Sequence, residues 1–362
     1  MTPLEKILID KIRSHGPINI ATFMEQVLCH PEFGYYTSRD PLGRSGDFIT
    51  APEISQMFGE LMGLWAADLW HQMGKPSEVV LFECGPGRGT LMADMLRVAK
   101  KIPEFAEAIK IHLLETSPVL REKQRQAVKG QEIVFHDDIP LNVPGVPVIL
   151  IANEFLDALP VRQLIRNGQN WDERTVAVDS EKGLIFSQKP LPPGEYKNLL
   201  QTARDGEIFE ISPAQDDFTR KTCNMLKAGG AALFIDYGYT KSAPGDTLQA
   251  VRNHRYVDVL EEIGRSDLTA HVNFERLAHV AQEEGAKIHG PVTQSRFLLS
   301  LGLAERAENL IKTAQSAHSP SDENSLQNIK SAVLRLSGPT GMGQLFKAIC
   351  LTHDRTLKPA GF

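Results

Sequence analysis

The chain has 362 residues, 42% hydrophobic and 23% charged, a composition typical of a globular protein with one large domain or two. Its formal net charge is −6 and no block of lysine or arginine occurs, which argues against nucleic acid or an anionic membrane surface as a partner. The four cysteines stand far apart without a CxxC pair and the histidines show no metal-ligand spacing, so we expect neither a disulfide framework nor a metal site. No apolar run is long enough to cross a bilayer, so we expect no membrane insertion.

The first 75 residues are expected to form a cover of helices and loop. Apolar residues at helical spacing predict a helix over 3–13, and a second helix is predicted over about 21–29. Residues 30–55 are rich in glycine and aromatic side chains but lack periodicity, which indicates an extended loop. The segment 51–74 returns to a helical pattern, with Pro52 suited to the first turn.

From residue 79 onwards, apolar strands alternate with helical patterns. The predicted strands cover 79–83, 111–115, 132–135, 147–152, 231–238, 286–290 and 346–352. This alternation is typical of a mostly parallel sheet covered on both faces, so 76–362 is predicted to be one doubly wound α/β domain with seven strands. Residues 165–211 interrupt the rhythm as an insertion between the fourth and fifth strands, with a hairpin turning at Lys182-Gly183. The region 291–340 is predicted to be helical, with a loop over 316–325.

A glycine-rich loop joins the first strand of this sheet to the following helix. The stretch LFECGPGRGTLMAD, residues 81–94, contains Gly85, Pro86, Gly87 and Gly89. Glycines there allow a tight turn and let a ligand approach the backbone at the N-terminus of a helix. A dinucleotide motif would need a third glycine where Thr90 stands, and no lysine follows as in a P-loop, so both phosphate-binding interpretations are weakened.

Acidic residues end three successive strands of the predicted sheet. Glu83 precedes the glycine loop, where a carboxylate suits an ammonium or sulfonium cation better than a pyrophosphate. Glu115 can accept both hydroxyls of a ribose, and Asp137 and Asp138 follow the third strand, where they could bind an adenine amino group. A single acid at a strand end is as often a helix cap or an exposed turn residue. Three of them beside one glycine loop favour a cationic nucleoside ligand.

The motif E-x-G-P-G-R-G-T-L resembles the first motif of class I S-adenosylmethionine-dependent methyltransferases, and more narrowly that of the MidA-like family of mitochondrial and bacterial complex I assembly methyltransferases. Further stretches similar to that family are FGYYTSRDPLGRSGDFITAPEISQMFGELMG (33–63), ANEFLDALPVRQL (152–164), FIDYGY (234–239), DLTAHVNF (267–274) and GPVTQSRFLLSLG (290–302). These stretches lie outside the generic cofactor loop, so they identify the family better than the loop does.

The resemblance implies a Rossmann-like fold, S-adenosyl-L-methionine as cofactor, and methylation of arginine in a protein substrate, a subunit of the respiratory NADH dehydrogenase. It also implies a cytoplasmic location in bacteria and the mitochondrial matrix for eukaryotic relatives. The expected cofactor contacts are Glu83, Gly85, Pro86, Gly87, Gly89, Thr90, Leu91, Glu115, Thr116, Asp137, Asp138, Ile139 and Asn153.

Acids near the fourth strand are the candidates for binding the methyl acceptor. Methyl transfer from a sulfonium depends mainly on positioning and desolvation, and a cationic guanidinium needs carboxylates beside it. Glu154 and Asp157 follow the fourth strand directly, and Asp47 lies in the N-terminal loop. We predict catalytic roles for all three, although Asp157 fits a turn cap before Pro160 equally well and Glu154 could also be structural.

Aromatic residues of the N-terminal loop could form a lid that excludes water from the reacting centre. The candidates are Phe33, Tyr35, Tyr36 and Phe48, although aromatic residues in such a place more often serve ordinary packing. Tyr237 could line the substrate slot or pack at the sheet edge. Two alternatives to arginine methylation stay open: methylation of a small molecule or another side chain, and a non-catalytic assembly factor. The intact set of acids argues against the latter.

Overall fold

The computed structural model describes residues 1–38, 49–140, 145–196, 199, 203–316 and 322–362. The chain divides into two compact units, each made of three segments. The first unit comprises Met1–Phe48, Leu156–Asp217 and Lys241–Arg276, and the second comprises Ile49–Phe155, Phe218–Thr240 and Leu277–Phe362. This division differs from the predicted boundary between residues 75 and 76, because the apolar helix that follows residue 55 packs into the core of the second unit.

The helices are α1 Pro3–His15, α2 Ile20–Cys29, α3 Tyr35–Ser38, α4 Ala51–Ile54, α5 Gln56–Gln72, α6 Thr90–Ala99, α7 Pro103–Ala108, α8 Pro118–Ala127, α9 Pro213–Met225, α10 Phe274–Glu283, α11 Gln294–Ser300, α12 Leu303–Ser316, α13 Asp322–Ser337 and α14 Met342–Leu345. The strands are β1 Ile18–Asn19, β2 Val79–Cys84, β3 Ile109–Leu114, β4 Ile133–His136, β5 Val148–Asn153, β6 Arg162–Asn167, β7 Asn170–Asp179, β8 Gly183–Pro190, β9 Ile208–Ile211, β10 Gly230–Tyr239, β11 Gln249–Arg252, β12 Arg255–Val257, β13 Asp267–Thr269, β14 Val272–Asn273, β15 Lys287–Thr293 and β16 Phe346–Thr352.

The second unit is built on a mixed sheet. In the described part of the chain this sheet has eight strands, of which seven lie side by side in the order β15-β16-β10-β5-β2-β3-β4, at runs that the sequence predicted as strands. Strands β10, β5, β2, β3 and β4 run parallel, whereas β16 runs antiparallel to both of its neighbours. Every residue of β2 and β5 is buried, as expected for parallel strands covered on both faces.

The helix predicted over 51–74 consists of two helices, α4 and α5. Ser55 between them is extended, with φ −161°, and its hydroxyl accepts the N–H of Met57 at 3.2 Å as an N-cap. A serine cap satisfies an N–H that would lack a partner at the start of the second helix. The other predicted helical region is confirmed by α11, α12 and α13, although α13 begins at Asp322, inside the predicted loop 316–325.

The first unit contains an antiparallel sheet in the order β1-β7-β6-β9, with β8 paired to β7, and a smaller sheet in the order β12-β11-β13. The hairpin predicted to turn at Lys182-Gly183 is formed by β7 and β8, and Gly183 has φ +80°. Helices α1 and α2 supply apolar side chains to the core of this unit, among them Leu8 and Phe23. Strands β6 and β9 and the smaller sheet were not predicted, since their sequences mix polar and apolar residues without a clear period.

None of the helices in the described part of the chain combines the length and the apolar sequence that crossing a bilayer would require.

Candidate cofactor and acceptor site

The strand order of the second unit reverses beside β2. From β2 the chain continues outward through β3 and β4, and then returns to add β5 on the other side of β2. Open α/β sheets bind ligands at the carboxyl ends of the strands that flank such a reversal. The glycine loop follows β2 and Glu154 follows β5, so the two predicted parts of the site lie at the ends of neighbouring strands.

The glycine loop has a left-handed backbone that other residues adopt only with strain. Gly85, Gly87 and Gly89 have φ of +63°, +54° and +83°. A Cβ atom on Gly85 would lie 2.8 Å from the Cδ2 atom of Phe155, and one on Gly89 would lie 3.2 Å from the Cα of Gln124. The glycines therefore serve the protein's own close packing as well as any approach of a ligand.

At the ends of β2 and β5, Oε2 of Glu83 and Oδ1 of Asn153 are buried and lack a hydrogen-bond partner among the described residues. Glu83 is 3% exposed, and burial raises the pKa of its carboxyl to about 8. An unsatisfied buried acceptor is costly unless a donor reaches it. The ammonium group of an amino-acid moiety is a suitable donor for Glu83, so these residues fit the methionine part of S-adenosyl-L-methionine.

Glu115 is held at the end of β3 by a network that the sequence did not reveal. Its Oε1 accepts the N–H of Ser117 at 2.7 Å, and its Oε2 accepts Nε2 of Gln124 at 3.0 Å. The same Nε2 donates to the carbonyl oxygen of Gly87 at 2.7 Å, so Gln124 ties Glu115 to the glycine loop. Burial raises the pKa of Glu115. Each carboxylate oxygen keeps a second lone pair, so a ribose could still be accepted.

The two aspartates after β4 are exposed, and each forms an ion pair. Asp137 Oδ1 lies 2.6 Å from the guanidinium of Arg121, and Asp138 Oδ2 lies 2.6 Å from Nζ of Lys221. Asp138 also accepts the N–H of Ile139 through Oδ1 at 2.7 Å. An adenine amino group would have to share these carboxylates with the cations. Sequence reasoning missed Lys221 because it lies 83 residues farther along the chain.

Other predicted cofactor residues differ in their exposure. Pro86, Leu91 and Ile139 are buried, whereas Thr116 is exposed beside Glu115.

Glu154 occupies a strained position at the end of β5. Its φ is +53°, in a region that non-glycine residues rarely adopt. Oε1 accepts the N–H of Ala51 at 2.7 Å and Nδ2 of Asn153 at 3.2 Å. Burial, with a smaller contribution from the Asp236 carboxylate, raises the pKa of Glu154 to about 7, against the lowering effect of its hydrogen bonds and of Arg335.

Helix α4 and the residues just before it are hydrogen-bonded to the sheet edge and to helix α13. Besides the bond from Ala51 to Glu154, Oε1 of Glu53 accepts the hydroxyl of Thr90 at 2.6 Å, directly after the glycine loop. The carbonyl oxygen of Ile49 accepts a guanidinium N–H of Arg335 at 3.4 Å. The contact of Thr90 with Glu53 was not expected from the sequence.

Asp157 belongs to the first unit, whereas Glu154 belongs to the second. The carbonyl oxygen of Asp157 accepts the N–H of Ala270 at 3.0 Å. Nearby, the hydroxyl of Tyr36 donates to Oδ1 of Asp267 at 2.8 Å, and burial, followed by the charges of Asp267 and Asp157, raises the pKa of Tyr36 well above its ordinary value. Asp267, a buried acid, was not among the predicted site residues.

The remaining candidates are decided by packing where the structure describes them. Tyr35 is fully buried in the core of the first unit and Phe33 packs against that core, which favours the packing role. Tyr237 lies against Phe346, with ring centroids 5.7 Å apart. Asp47 and Phe48 lie outside the described residues.

Histidines contribute no metal site in the described ranges, where no group of three or more His, Cys, Asp or Glu side chains could hold an ion. His136 Nε2 lies 3.0 Å from Nδ1 of His112. Burial lowers the pKa of both, that of His112 to about 4. The backbone N–H of His271 donates to Oγ1 of Thr247 at 2.8 Å.

Residues 61–292 match the Methyltransf_28 family model, which describes S-adenosyl-L-methionine-dependent methyltransferases. The chain belongs to this family. It is therefore an S-adenosyl-L-methionine-dependent methyltransferase, which removes the non-catalytic alternative.

Relatives of this methyltransferase carry more specific names. Over 96% of the chain it is 35% identical to a mitochondrial protein of Drosophila melanogaster named protein arginine methyltransferase NDUFAF7 homolog, and covers 84% of that protein. Over 99% of its length, the chain is 33% identical to the human mitochondrial protein arginine methyltransferase NDUFAF7, and the match covers 85% of the human protein. A crystal structure of a Burkholderia thailandensis protein bound to S-adenosyl-homocysteine has a TM-score of 0.84 and 28% identity, covering 98% of this chain and 92% of that one.

Proposed function

We propose that this methyltransferase transfers the methyl group of S-adenosyl-L-methionine to an arginine side chain of a protein. The observation that carries the proposal is Glu154, an acid kept in a left-handed turn at the strand end beside the glycine loop. Relatives that match 96% and 99% of this chain are named protein arginine methyltransferases, which supports the same substrate class.

S-adenosyl-L-methionine supplies an electrophilic methyl group on its sulfonium when bound. The protein has to hold a guanidinium nitrogen in line with that methyl and to take up the proton that the nitrogen loses. We propose that Glu154 does both, since a carboxylate pairs with guanidinium and a pKa of about 7 suits a general base near neutral pH. Asp157 and Asp47 are proposed to bind the acceptor in supporting roles.

Each proposed cofactor contact pairs a hydrogen-bonding group of S-adenosyl-L-methionine with a protein group of suitable chemistry. We propose that Glu83 binds the ammonium group, Glu115 the ribose hydroxyls, and the segment Asp137 to Ile139 the adenine. Asn153 contributes an acceptor oxygen, and Gly85 to Leu91, with Thr116, form the wall of the pocket. The fold would then be that of a class I methyltransferase with a seven-stranded sheet and an insertion between strands β5 and β10.

The substrate that we propose is a subunit of the respiratory NADH dehydrogenase, on the basis of the family resemblance of residues 33–63 and 152–164. The corresponding location is the bacterial cytoplasm.

The decisive experiment adds the purified protein and radiolabelled S-adenosyl-L-methionine to a lysate that lacks the endogenous enzyme. We expect label in a protein band, with mass spectrometry finding a methylated arginine in an NADH dehydrogenase subunit. The Glu154→Gln protein serves as the control and should leave that band unlabelled. Label confined to small molecules, or to a residue other than arginine, would reject the proposal.

A further inference from the structure

Strand β5 ends at Asn153, directly before Glu154, whereas its neighbour β10 continues to Tyr239 and keeps accepting hydrogen bonds from the turn after β5. The last parallel pair of β5 and β10 is Asn153 with Ile235, and the N–H of Glu154 still donates to the carbonyl oxygen of Ile235 at 2.9 Å. The next N–H, that of Phe155, donates to a side chain instead, Oδ2 of Asp236 at 3.0 Å. Asp236 Oδ1 accepts the N–H of Tyr237 at 2.8 Å.

We propose that Asp236 is a positioning residue that holds the left-handed turn of Glu154 and so aims the acceptor acid at the sheet edge. This inference rests on the proposed role of Glu154. Asp236 is fully buried, and its two oxygens accept the backbone N–H groups of Phe155, in the turn after β5, and of Tyr237, the next residue of β10. A carboxylate can accept both bonds at once, and these charge-assisted bonds offset the strain of a left-handed glutamate.

The same bond fixes one wall of the cofactor loop. Phe155 is the residue whose ring lies 2.8 Å from where a Cβ of Gly85 would be, and its ring also packs on Phe218 with centroids 5.0 Å apart. Asp236 therefore fixes the turn that carries Glu154. Through Phe155, the same carboxylate is linked to the glycine loop.

Charged groups around this turn come from three elements. Asp236 on β10 raises the pKa of Glu154, and Arg335 on α13 lowers it. Lys347 on β16 is the cross-strand partner of Asp236, and its Nζ donates to the carbonyl oxygens of Gln344 at 2.6 Å and Leu345 at 2.9 Å. Removing the charge of Asp236 alone should thus lower the pKa of Glu154.

The first test measures Glu154 directly and needs no substrate. Carbon-13 NMR of side-chain carboxyls, with Glu154→Gln to assign the signal, follows the titration of Glu154 in the wild-type and Asp236→Asn proteins. We expect the midpoint to fall by roughly one pH unit in Asp236→Asn, since a nearby like charge is removed. An unchanged or raised midpoint would overturn the proposal.

The second test is a double-mutant cycle in methyl transfer. Asp236→Asn should lower kcat by about ten- to a hundredfold, the range for lost charge-assisted hydrogen bonds, while KM for S-adenosyl-L-methionine changes by less than about threefold. In the Glu154→Gln background the same substitution should cost much less, because the group that it positions is gone. Equal losses in both backgrounds would show that Asp236 acts on the fold as a whole.

Asp172→Asn is the matched control. Asp172 is 4% exposed on β7 of the first unit, and its Oδ2 accepts Nδ2 of Asn167 at 3.1 Å. We expect this change of a buried aspartate to leave kcat and the Glu154 titration unchanged. A loss of kcat equal to that of Asp236→Asn would show a general effect of buried aspartates.

Two outcomes need separate readouts. If Asp236→Asn does not fold, hydrogen exchange of the wild-type protein tests the contact of Asp236 instead. The hydrogen-bonded amides of Phe155 and Tyr237 should then exchange as slowly as those of β5. Fast exchange of these amides would reject the contact. If Glu154→Gln keeps full turnover, the role of Glu154 in the proposed function fails, while the NMR titration still decides whether Asp236 acts on Glu154.

Discussion

Two turns at the same sheet edge use the left-handed backbone in different ways. After β2, the residues at positive φ are glycines 85, 87 and 89, and their neighbours leave no room for a side chain at 85. After β5, the residue at positive φ is Glu154. At the first turn, the acidic residue is Glu83, which stands in β2 before the glycines. At the second turn, the acidic residue Glu154 is itself the residue at positive φ.

The difference shows what each turn is for. A non-glycine residue held at positive φ costs of order 1–3 kcal/mol, so glycine would be the least costly residue at position 154. A glutamate there indicates that the side chain is needed at that place, and its bonds to Ala51 and Asn153 fix its direction. The glycine turn supplies shape, and the glutamate turn supplies a charge.

The largest effect is expected from a side chain in the glycine turn. Gly85→Ala places a methyl 2.8 Å from the Phe155 ring at φ +63°, and we expect S-adenosyl-L-methionine affinity to fall more than about a hundredfold by calorimetry. Gly168→Ala is the control, with φ +59° but no atom within 4 Å of the added carbon. Unchanged affinity in Gly85→Ala would mean that the loop does not shape the cofactor site.

Glu154→Gln should separate binding from chemistry. We expect turnover to fall by about a hundredfold with cofactor affinity within about twofold, since the amide keeps the shape but loses the charge-assisted bonds. Glu275→Gln is the matched change, because Glu275 also accepts a backbone N–H, that of Ser242 at 2.8 Å, on a residue without positive φ. Wild-type turnover in Glu154→Gln would remove the distinction between the two turns.

Cofactor affinity should depend on pH through Glu83. Because burial raises its pKa to about 8, the free protein is protonated there at neutral pH, while a bound ammonium requires the ionised carboxylate. Affinity should therefore rise up to tenfold per pH unit from pH 6 towards 8 and then level off, with proton release seen by calorimetry in two buffers. Glu83→Gln should lose this slope, and a wild type without any slope would contradict the assignment.

The smallest effect is expected at Gln124, the residue that links Glu115 to the glycine loop. Gln124→Ala removes two hydrogen bonds, and we expect cofactor affinity to weaken by about three- to tenfold in the same calorimetric assay. Gln126→Ala on the same helix removes only an exposed bond to Glu122 and should be neutral. Equal effects of the two substitutions would show that the link is not used.

Acidity also affects folding through the paired histidines. Burial lowers the pKa of His112 to about 4, below its unfolded value of 6.5, so the neutral form is favoured in the folded state. The resulting stability is present above pH 6.5 and is lost as pH falls towards 4. His112→Gln should flatten this part of the stability curve, measured by urea unfolding between pH 4 and 7.

The sequence predicted β2 and β5 well because every residue of these two strands is buried, which leaves a continuous apolar run. The sequence also predicted which acids stand at strand ends, because a residue that directly follows a predicted strand must lie at the end of that strand. Gln124 was missed because α8 reads as a polar surface helix, and only the fold brings that side chain to Gly87. The roles of glycines 85 and 89 in packing against Phe155 and Gln124 likewise depend on tertiary neighbours, which local pattern does not encode.

The interleaving of the two units has a genetic consequence. Each unit takes three stretches of the chain in alternation with the other, so no single cut yields either one whole. A premature stop codon anywhere before residue 277 would remove β15 and β16 from the large sheet together with whatever follows the cut. Neither unit can therefore be produced as one continuous segment of the chain.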